Sequence, residues 1–336
     1  MQILMQPAEK PPVSLTFSDV NQLASDDMQA VDALIRESLK SDVLLVSQVS
    51  EYIVTGGGKR LRPLIVLLAA RALGYSGTRH VNAAAIVEFI HTATLLHDDV
   101  VDHSDRRRGR DTANAVFGNQ ASVLVGDFLY SRAFQMMVDI GMMPVMQILA
   151  NATNTIAAGE VMQLMNVHDP DVTEESYRQV IYRKTAKLFE AGAQIAALLA
   201  DRDSADEAAM IAYGRHLGCA FQLVDDALDY DASPSELGKN LGDDLAEGKP
   251  TLPLIYAMEN GSAADKLLIQ RAIEDDGIEK LDEIQSIIES TGALQYTAKR
   301  AQEAADLAID ALSGIPDSEY KESLIAIADF AVKRRS

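Results

Sequence analysis

Apolar residues recur along most of the chain at intervals of three and four, the spacing that places them on one face of an α-helix. ALIRESL at residues 33–39 has this spacing, and Ser25 is expected to cap the helix that contains it. Further helical stretches are predicted at 81–103, 119–139, 145–166, 173–200, 204–231 and 251–260. No alternating run is bounded by an Asn-Gly or Asp-Gly turn, so strands are not expected. The pattern predicts an all-α protein.

Breaks in this pattern are few and fall near the expected ends of helices. Residues 1–18 are polar and contain proline, which predicts a flexible N-terminal arm. From residue 19 to residue 336 no change of composition marks a linker, so this region is predicted to be a single all-helical domain. The prolines expected in loops or at helix ends are Pro170, Pro234, Pro253 and Pro316.

Composition narrows the possible functions. Apolar residues make up 48% of the 336 residues, enough to bury a large core, and aromatic residues only 5%. The net charge of −20 would repel nucleic acid, so a nucleic-acid-binding function is not expected. Cys219 is the single cysteine, so no intrachain disulfide can form, and we expect a buried thiol.

The sequence gives no indication of a membrane-spanning or exported protein. The most apolar run, residues 64–70, is far shorter than the roughly 20 residues that span a membrane. The N-terminus lacks the basic region of a secretory signal, and KRRS at the C-terminus is not a prenylation motif. A cytoplasmic protein is therefore expected.

Two aspartate motifs, DDVVD at 98–102 and DDALD at 225–229, are the strongest candidates for chemistry. In a helix the first and last aspartate of each motif lie on one face. Clustered carboxylates resist ionising together unless a cation compensates them. Mg²⁺ binds such oxygen ligands together with phosphate oxygens and water, so two facing motifs could hold a diphosphate. The predicted metal ligands are Asp98, Asp99, Asp102, Asp225, Asp226 and Asp229.

A single Asp-Asp-x-x-Asp motif in an acidic protein is most simply a solvated surface. Here the motif occurs twice, and each copy ends an apolar helical run, AIVEFIHTATLLH or AFQLV. Charge at the edge of a core is costly unless it is compensated, so the duplication favours a functional site. Neither motif has the ligand spacing of an EF-hand, which favours Mg²⁺ over Ca²⁺.

Basic clusters interrupt the acidic chain and are suited to binding phosphate. GGGKRLRP at 56–63 combines glycines, which allow close backbone approach, with arginines that recognise diphosphate through forked hydrogen bonds. The GxxxxGK[ST] spacing of a Walker A loop is absent. The other clusters are RRRGR at 106–110, YRKTAKLF at 182–189, and Lys239 with Lys249.

Taken together, these motifs resemble the trans-isoprenyl diphosphate synthases, and most closely the long-chain bacterial enzymes that make quinone side chains. The resemblance runs from about residue 20 to the C-terminus and keeps the order of the family motifs. These are GGKRLRP at 57–63, HTATLLHDDVVDHSDRRRG at 91–109, GDFLYSRAF at 126–134, GEVMQL at 159–164, KTAKLF at 184–189, FQLVDDALDY at 221–230 and GKNLGDDLAEGKPTLPLI at 238–255.

The resemblance implies a helical bundle around a central cavity, the isoprenoid synthase fold. It also implies a homodimeric, Mg²⁺-dependent prenyltransferase for ubiquinone biosynthesis, with two or three ions bridging the allylic diphosphate. The implied reaction adds isopentenyl diphosphate to an allylic substrate such as farnesyl diphosphate. A C40 product is expected, with C45 and C50 left open, and transient membrane contact could release it.

The family's site residues can be assigned by position. The implied catalytic residues are Asp98, Asp99, Asp102, Lys184 and Asp225. Isopentenyl diphosphate is expected to bind Lys59, Arg62, His91 and Arg108. The allylic diphosphate is expected to bind Arg107, Lys184, Thr185, Gln222 and Lys239, with Lys249 in a closing loop.

Product length is expected to depend on residues below the first motif. Short-chain relatives carry bulky aromatics at the positions of Ala93 and Thr94, so the small residues here predict an open tunnel and a long product. Met137 and Leu149 are candidates for the tunnel floor. Ala93→Tyr is expected to shorten the product.

Two other functions fit part of the sequence. A class I terpene cyclase also ionises prenyl diphosphates, but it needs no second diphosphate site, which GGGKRLRP, His91 and Arg108 are expected to supply. A non-catalytic subunit of a two-component synthase is expected to lose an aspartate motif, whereas both are present here. A condensing enzyme is therefore the favoured interpretation.

Overall fold

The computed structural model describes residues 15–107, 109–231, 241–275 and 277–333, apart from the side chain of Thr55. These residues are almost entirely helical, which confirms the predicted all-α class. Within the described ranges the strands are two-residue segments, β1 (Arg106–Arg107) and β2 (Arg110–Asp111), paired antiparallel. This small hairpin follows directly on the first aspartate motif.

The α-helices follow one another with short connections. The first nine are α1 (Phe17–Leu23), α2 (Ser25–Ser38), α3 (Leu44–Thr55), α4 (Leu61–Ala72), α5 (Arg79–Val101), α6 (Ala113–Phe117), α7 (Asn119–Ile140), α8 (Met143–Asn166) and α9 (Glu174–Ile181). They continue with α10 (Lys187–Leu199), α11 (Ser204–Leu228), α12 (Asp243–Ala246), α13 (Leu252–Asn260), α14 (Ala263–Glu274), α15 (Leu281–Thr291), α16 (Ala293–Ala311) and α17 (Glu319–Lys333). Short 3₁₀ segments occupy Ile278–Lys280 and Leu312–Gly314.

One predicted helix, 173–200, is divided by a five-residue π-helix at Tyr182–Ala186. Its wider turn is visible in the bond from the Lys187 N–H to the Tyr182 carbonyl, five residues earlier. Single π-turns inside α-helices are frequent at functional sites. The pattern of apolar residues could not indicate this turn, because apolar residues continue at helical spacing before and after it.

The start of the chain differs in detail from the sequence prediction. Ser25 does not cap α2 but is its first helical residue, because α2 continues from α1 after a break at Ala24. Thr16 instead caps α1 through a reciprocal capping box with Asp19. Residues 17 and 18, assigned to the flexible arm, lie in the first turn of α1, and residues 1–14 lie outside the described ranges. The ring of Phe17 packs edge-on against Phe330 of α17 at 5.9 Å.

The centre of the bundle is formed by α4, α5 and α10, which pack against one another and are enclosed by α2, α7, α8 and α11. Residues 64–70 of α4 are all buried, which explains the most apolar run of the sequence.

Cys219 is only half-buried, although burial raises the pKa of its thiol to about 11. No helix in the described ranges is both long and apolar enough to cross a membrane.

A charged cluster ties three of these helices together on the side away from the aspartate motifs. Arg71 of α4 donates from Nε and Nη2 to the two oxygens of Asp27 in α2, at 2.8 and 2.7 Å. Nε2 of the buried His80 in α5 lies 3.0 Å from Asp27 Oδ2. Partial burial raises the pKa of Asp27, but the Arg71 and His80 contacts outweigh it and leave that pKa below its ordinary value.

Asp27→Asn is expected to lower the free energy of unfolding by about 1–2 kcal/mol at pH 7, because a charged acceptor of two hydrogen bonds is lost. A carboxylate with a lowered pKa stabilises the fold above its unfolded pKa of about 3.9, and this contribution disappears as pH falls through its folded pKa. Urea unfolding should therefore show a difference from wild type that narrows below pH 4. The exposed Asp310→Asn is the control, and a Asp27→Asn difference that did not narrow would contradict this explanation.

Candidate active site

The first aspartate motif lies at the C-terminal end of α5 and presents two of its carboxylates to a cavity. Asp98 and Asp102 line this cavity, as their helical spacing predicted. Asp99 is 2% exposed and faces the β1–β2 hairpin. Arg107 of this hairpin donates from Nε to Asp99 Oδ1 at 2.8 Å, and its Nη2 lies 2.7 Å from the same oxygen. Burial raises the pKa of Asp98, an effect that Lys184 partly offsets.

Lys184 lies beside the first motif, carried by the π-helix. Its Nζ is 2.6 Å from Glu160 Oε2 on α8 and 3.6 Å from Asp98 Oδ2. Burial alone would lower the pKa of Lys184, but the Asp98 and Glu160 carboxylates outweigh it and raise that pKa. Burial raises the pKa of Glu160 to about 7 against the opposing effect of Lys184. The ammonium is therefore held as a positive charge between Glu160 and Asp98, which both line the cavity.

Glycines allow two helices to press closely on the π-helix. A Cβ at Gly159 of α8 would lie 2.7 Å from Arg183 Cβ and 2.8 Å from the Lys184 backbone nitrogen. A Cβ at Gly218 of α11 would lie 2.4 Å from Ala186 Cα. Because the opposing atoms are backbone or Cβ atoms, they cannot move aside without moving the π-helix. Close packing on both sides therefore fixes where Lys184 is held.

The second aspartate motif lies at the C-terminal end of α11, and its middle residue is buried. Asp226 accepts hydrogen bonds from the Tyr177 hydroxyl and, at 2.7 Å, from Gln222 Nε2. Gln222 Oε1 accepts from Thr185 Oγ1 at 2.8 Å. Burial, reinforced by the nearby Asp244 carboxylate, raises the pKa of Asp226 to about 7. Asp225 is only partly buried.

The segment after the second motif connects it to the first. Asp229 Oδ2 accepts from the backbone N–H of Asp244 at 3.0 Å, at the start of the segment. Lys249, at its end, donates to Asp102 Oδ2 at 2.9 Å and also contacts the Glu247 carboxylate. Burial alone would lower the pKa of Lys249, but Asp102 and the other nearby carboxylates outweigh this effect, so the pKa is raised above its ordinary value. The positive charge of Lys249 is thus held at the first motif.

The structure therefore brings the two motifs to one site by two independent links. The π-helix places Lys184 at Asp98 and the next residue, Thr185, in a hydrogen-bond network with the second motif. Residues 242–249 extend from the second motif back to Asp102. The two motifs, which are far apart in the sequence, are thus connected through Lys184 and Thr185 on one side and through residues 242–249 on the other.

The cavity beneath the first motif has a volume of about 1100 Å³. This is slightly above the roughly 300–1,000 Å³ typical of small-molecule sites, so a large ligand fits. Its walls come from α5, α7, α8 and the end of the 242–249 segment. The apolar side chains of the wall below the charged rim are Phe134, Ile156, Ala157, Val161 and Leu164.

The four candidate chain-length residues are not equivalent in the structure. Thr94 lines the cavity one turn below Asp98. Ala93, Met137 and Leu149 are buried in the core cluster that contains α5, and they do not line this cavity. Their effect on product length stays a prediction, and Thr94 is the candidate in direct contact with the space.

The residues expected to bind isopentenyl diphosphate are only partly assembled in the described ranges. Arg62 Nη1 donates to His91 Nε2 at 3.1 Å, so the His91 ring proton lies on Nδ1. The Arg62 guanidinium also stacks on the Phe189 ring, 4.4 Å from its centroid. Lys59 is exposed just before α4, and Arg108 and Lys239 lie outside the described residues.

The aspartate motifs supply donors for a divalent cation but not a complete cage. Within the part of the chain that the structure describes, no three His, Cys, Asp or Glu side chains are grouped to hold a metal alone. Asp98 and Asp102, at the cavity wall, are hard oxygen donors that fit a cation completing its shell with phosphate oxygens and water. Asp99 and Asp226, in contrast, are buried, and they accept hydrogen bonds from Arg107, Tyr177 and Gln222.

Three residues that contact the site were not selected from the sequence. Glu160 lay in the GEVMQL motif but had no assigned role, although it is the nearer carboxylate to Lys184. Tyr130 lines the cavity, and burial with Asp98 and Glu160 raises the pKa of its hydroxyl to about 12. Tyr177 contacts Asp226 across 49 positions in sequence, a separation that no local pattern could indicate.

Comparison with known proteins agrees with this geometry. The chain matches the polyprenyl synthetase family over residues 43–291. It is 55% identical over 321 residues to octaprenyl diphosphate synthase of Escherichia coli (strain K12), covering 95% of this chain and 99% of that protein. It is 46% identical to all-trans-nonaprenyl-diphosphate synthase (geranyl-diphosphate specific) of Rhodobacter capsulatus, with 94% and 97% covered.

A solved structure shares the fold over nearly the whole chain. Polyprenyl synthase from Caulobacter crescentus CB15, complexed with calcium and isoprenyl diphosphate, matches with a TM-score of 0.92 and 44% identity. The match covers 97% of this chain and 100% of that one. The chain therefore belongs to the polyprenyl synthetase family and is a prenyltransferase, which confirms the resemblance found in the sequence.

Proposed function

We propose that the chain is a long-chain all-trans-polyprenyl diphosphate synthase that adds isopentenyl diphosphate units to an allylic diphosphate such as farnesyl diphosphate. The observation that carries this proposal is the Lys184–Asp98 contact above a cavity of about 1100 Å³. Fixed charge for a departing diphosphate thus adjoins space for a long hydrocarbon.

The proposed product has eight isoprene units (C40). The 55% identity to an octaprenyl diphosphate synthase supports this length over the 46% identity to a nonaprenyl enzyme. The cavity volume of about 1100 Å³ favours a long product in either case. C45 and C50 remain the alternatives to be distinguished by experiment.

Lys184, Lys249 and Arg107 are proposed to stabilise the diphosphate that leaves the allylic substrate. The C–O bond breaks with its electron pair on the diphosphate, so negative charge develops beside the cationic groups. Lys184 and Lys249 already lie at the first motif with raised pKa values, so they need no proton transfer before the reaction. Preorganised charge in a partly buried site is typically the largest contribution to such catalysis.

A divalent cation, Mg²⁺ in this proposal, would be held by Asp98 and Asp102 with Asp225 and Asp229 from the second motif. When bound, it supplies Lewis-acid stabilisation of the diphosphate oxygens. Asp99 and Asp226 were also predicted as ligands. Both are buried, whereas Asp98, Asp102, Asp225 and Asp229 are only partly buried, so we propose these four as the metal ligands and a positioning role for Asp99 and Asp226.

Isopentenyl diphosphate is proposed to bind Lys59, Arg62 and His91, with Arg108 as predicted from the sequence. Arg62 and His91 are already paired at 3.1 Å, which orients the guanidinium toward one shared site. The double bond of isopentenyl diphosphate attacks the allylic cation, and loss of a proton to the released diphosphate restores a double bond. Ile156, which lines the cavity and is 2% exposed, is proposed to help keep water from the cation.

Dependence on isopentenyl diphosphate tests this function against its alternatives. The purified chain with Mg²⁺ and farnesyl diphosphate is expected to release diphosphate in proportion to added isopentenyl diphosphate. Equal release without it would indicate a cyclase. No activity from the chain alone, restored by a second protein, would indicate a subunit of a two-component synthase.

Thr94→Tyr is expected to shorten the main product by several isoprene units, because the ring would fill the cavity one turn below Asp98. Ala93→Tyr, predicted from the sequence to shorten the product, is expected to do so less and to lower stability by about 1–3 kcal/mol through overpacking. Chromatography of dephosphorylated products measures both variants. A Thr94→Tyr product of unchanged length would contradict the assignment of this cavity to the growing chain.

A homodimer remains part of the proposal. Helices α7 and α8 expose apolar side chains next to the cavity, including Leu124, Val138 and Met165, and a second copy is proposed to cover them. Sedimentation is then expected to give twice the 36.4 kDa chain mass, and a monomer would contradict it. The cytoplasmic location stays a prediction from the sequence.

A further inference from the structure

We propose that Tyr177 is a positioning residue of this reaction, holding the second aspartate motif in register with the π-helix that carries Lys184. The inference rests on the proposed function but concerns a residue outside all of the recognised motifs. Tyr177 lies on α9 and is 4% exposed. Among the described residues, its hydrogen bond to the second motif is the one that its hydroxyl makes to Asp226.

A directed chain of hydrogen bonds runs from Tyr177 to the π-helix. The Tyr177 hydroxyl donates to Asp226 Oδ2, and Gln222 Nε2 donates to Asp226 Oδ1 at 2.7 Å. The ionised form of Asp226 only accepts, so the Gln222 amide turns its nitrogen to Asp226 and its oxygen to Thr185. Thr185 Oγ1 donates to that oxygen at 2.8 Å. Each link therefore sets the orientation of the next.

The chain of bonds closes a loop in the backbone as well. Helix α9 ends at Ile181 and leads directly into the π-helix, so Tyr177 and Thr185 lie on one continuous helical segment. Both are tied to α11, through Asp226 and Gln222. The segment from Tyr177 to Thr185 is therefore held against α11 by polar bonds at both ends, and Gly218 of α11 packs closely on Ala186, the last residue of the π-helix.

Loss of the Tyr177 hydroxyl is expected to disturb this register rather than remove a reacting group. Asp226 would keep one partner in a buried setting, where an unsatisfied carboxylate oxygen is costly. The Gln222 amide and the Asp226 side chain would then move to recover a hydrogen bond. Thr185 and its neighbour Lys184 follow, because they share the π-turn.

Tyr213 offers a matched control on α11. It is fully buried, and its hydroxyl donates one hydrogen bond, to the Leu324 carbonyl of α17 at 2.8 Å. Tyr213→Phe therefore removes the same group from an equally buried ring whose hydroxyl, among the described residues, makes no hydrogen bond to either motif. A difference between the two variants isolates positioning from general loss of stability.

The test compares Tyr177→Phe, Tyr213→Phe and wild type in steady-state kinetics well below all three melting temperatures. For Tyr177→Phe, kcat is expected to fall about tenfold and the half-saturating Mg²⁺ concentration to rise, with KM for isopentenyl diphosphate unchanged. Tyr213→Phe is expected to lower Tm and leave the kinetics unchanged. Wild-type kinetics in Tyr177→Phe, or equal losses in both variants, would overturn the proposal.

A second measurement separates this proposal from the proposed function. If wild type does not condense isopentenyl diphosphate, the function is wrong, and the network is then tested by thermal unfolding with Mg²⁺ and inorganic diphosphate. The added pair is expected to raise Tm equally for wild type and Tyr213→Phe, and by less for Tyr177→Phe. An equal shift in all three proteins, zero included, would overturn the positioning role.

Discussion

Asp98→Asn is expected to lower kcat for condensation by about a thousand-fold, which corresponds to about 4 kcal/mol of lost transition-state stabilisation. The amide keeps the shape of the side chain but not its charge. Asp98 lines the cavity and is the carboxylate of the first motif within 3.6 Å of Lys184. The substitution therefore weakens a proposed metal ligand and removes a counter-charge that holds Lys184 in place.

The measurement is single-turnover formation of elongated product at saturating Mg²⁺, with circular dichroism to verify folding. The control is Asp139→Asn, the same change at an exposed position of α7, which is expected to leave kcat within about twofold, as surface substitutions usually do. A folded Asp98→Asn variant that kept a tenth of wild-type activity would contradict the role of the first motif.

Gly159→Ala is expected to give the second-largest effect, a fall in kcat of about a hundred-fold, because small displacements of a catalytic group cost about this much. Its Cβ would lie 2.8 Å from the Lys184 backbone nitrogen and 2.7 Å from Arg183 Cβ. Helix α8 and the π-helix must separate to make room. The free energy of unfolding is expected to fall by about 1–3 kcal/mol through overpacking, despite the better helix propensity of alanine.

Gly314→Ala is the matched control for this glycine. Nothing lies within 4 Å of a Cβ at Gly314, and its backbone does not require glycine. Kinetics and urea unfolding of both variants are expected to show losses for Gly159→Ala only. Unchanged kcat in Gly159→Ala would mean that the close contact with the π-helix does not position Lys184.

The helical architecture could be predicted because its determinants are local. The segment 81–103 corresponds to α5 and 119–139 to α7, each within two residues at either end. Ser25 failed as a cap because α1 precedes α2 without a loop, and the sequence there contains no strong break. The pattern of apolar residues therefore located helices more reliably than it located their ends.

The charged part of the site could be predicted because it consists of motifs. Asp98 and Asp102 face the cavity as their four-residue spacing requires, and Lys184 and Lys249 contact the first motif. The hydrogen bond from Arg107 to Asp99 could not be foreseen, because it depends on the β1–β2 hairpin that returns Arg107 to α5. Spacing in the sequence determines the face of the helix on which a side chain lies, but not the residue from another element that contacts it.

The parts that escaped prediction depend on contacts between helices. The π-helix changes hydrogen bonding within an apolar helix without changing its pattern of residues. In the sequence, Tyr177 is indistinguishable from an ordinary aromatic residue of the core, and only the structure shows that its hydroxyl donates to Asp226. Ala93 appeared equivalent to Thr94 by position, yet only Thr94 contacts the cavity, because the two point to different sides of α5.

The product made by the purified chain tests the central claim most directly. The chain is incubated with farnesyl diphosphate, radiolabelled isopentenyl diphosphate and Mg²⁺, and the dephosphorylated products are separated by chain length. We predict one main all-trans product of eight isoprene units and no product after chelation of the metal. A cyclic terpene, or a product no longer than farnesol, would contradict the claim that this cavity receives a chain extended at the two aspartate motifs.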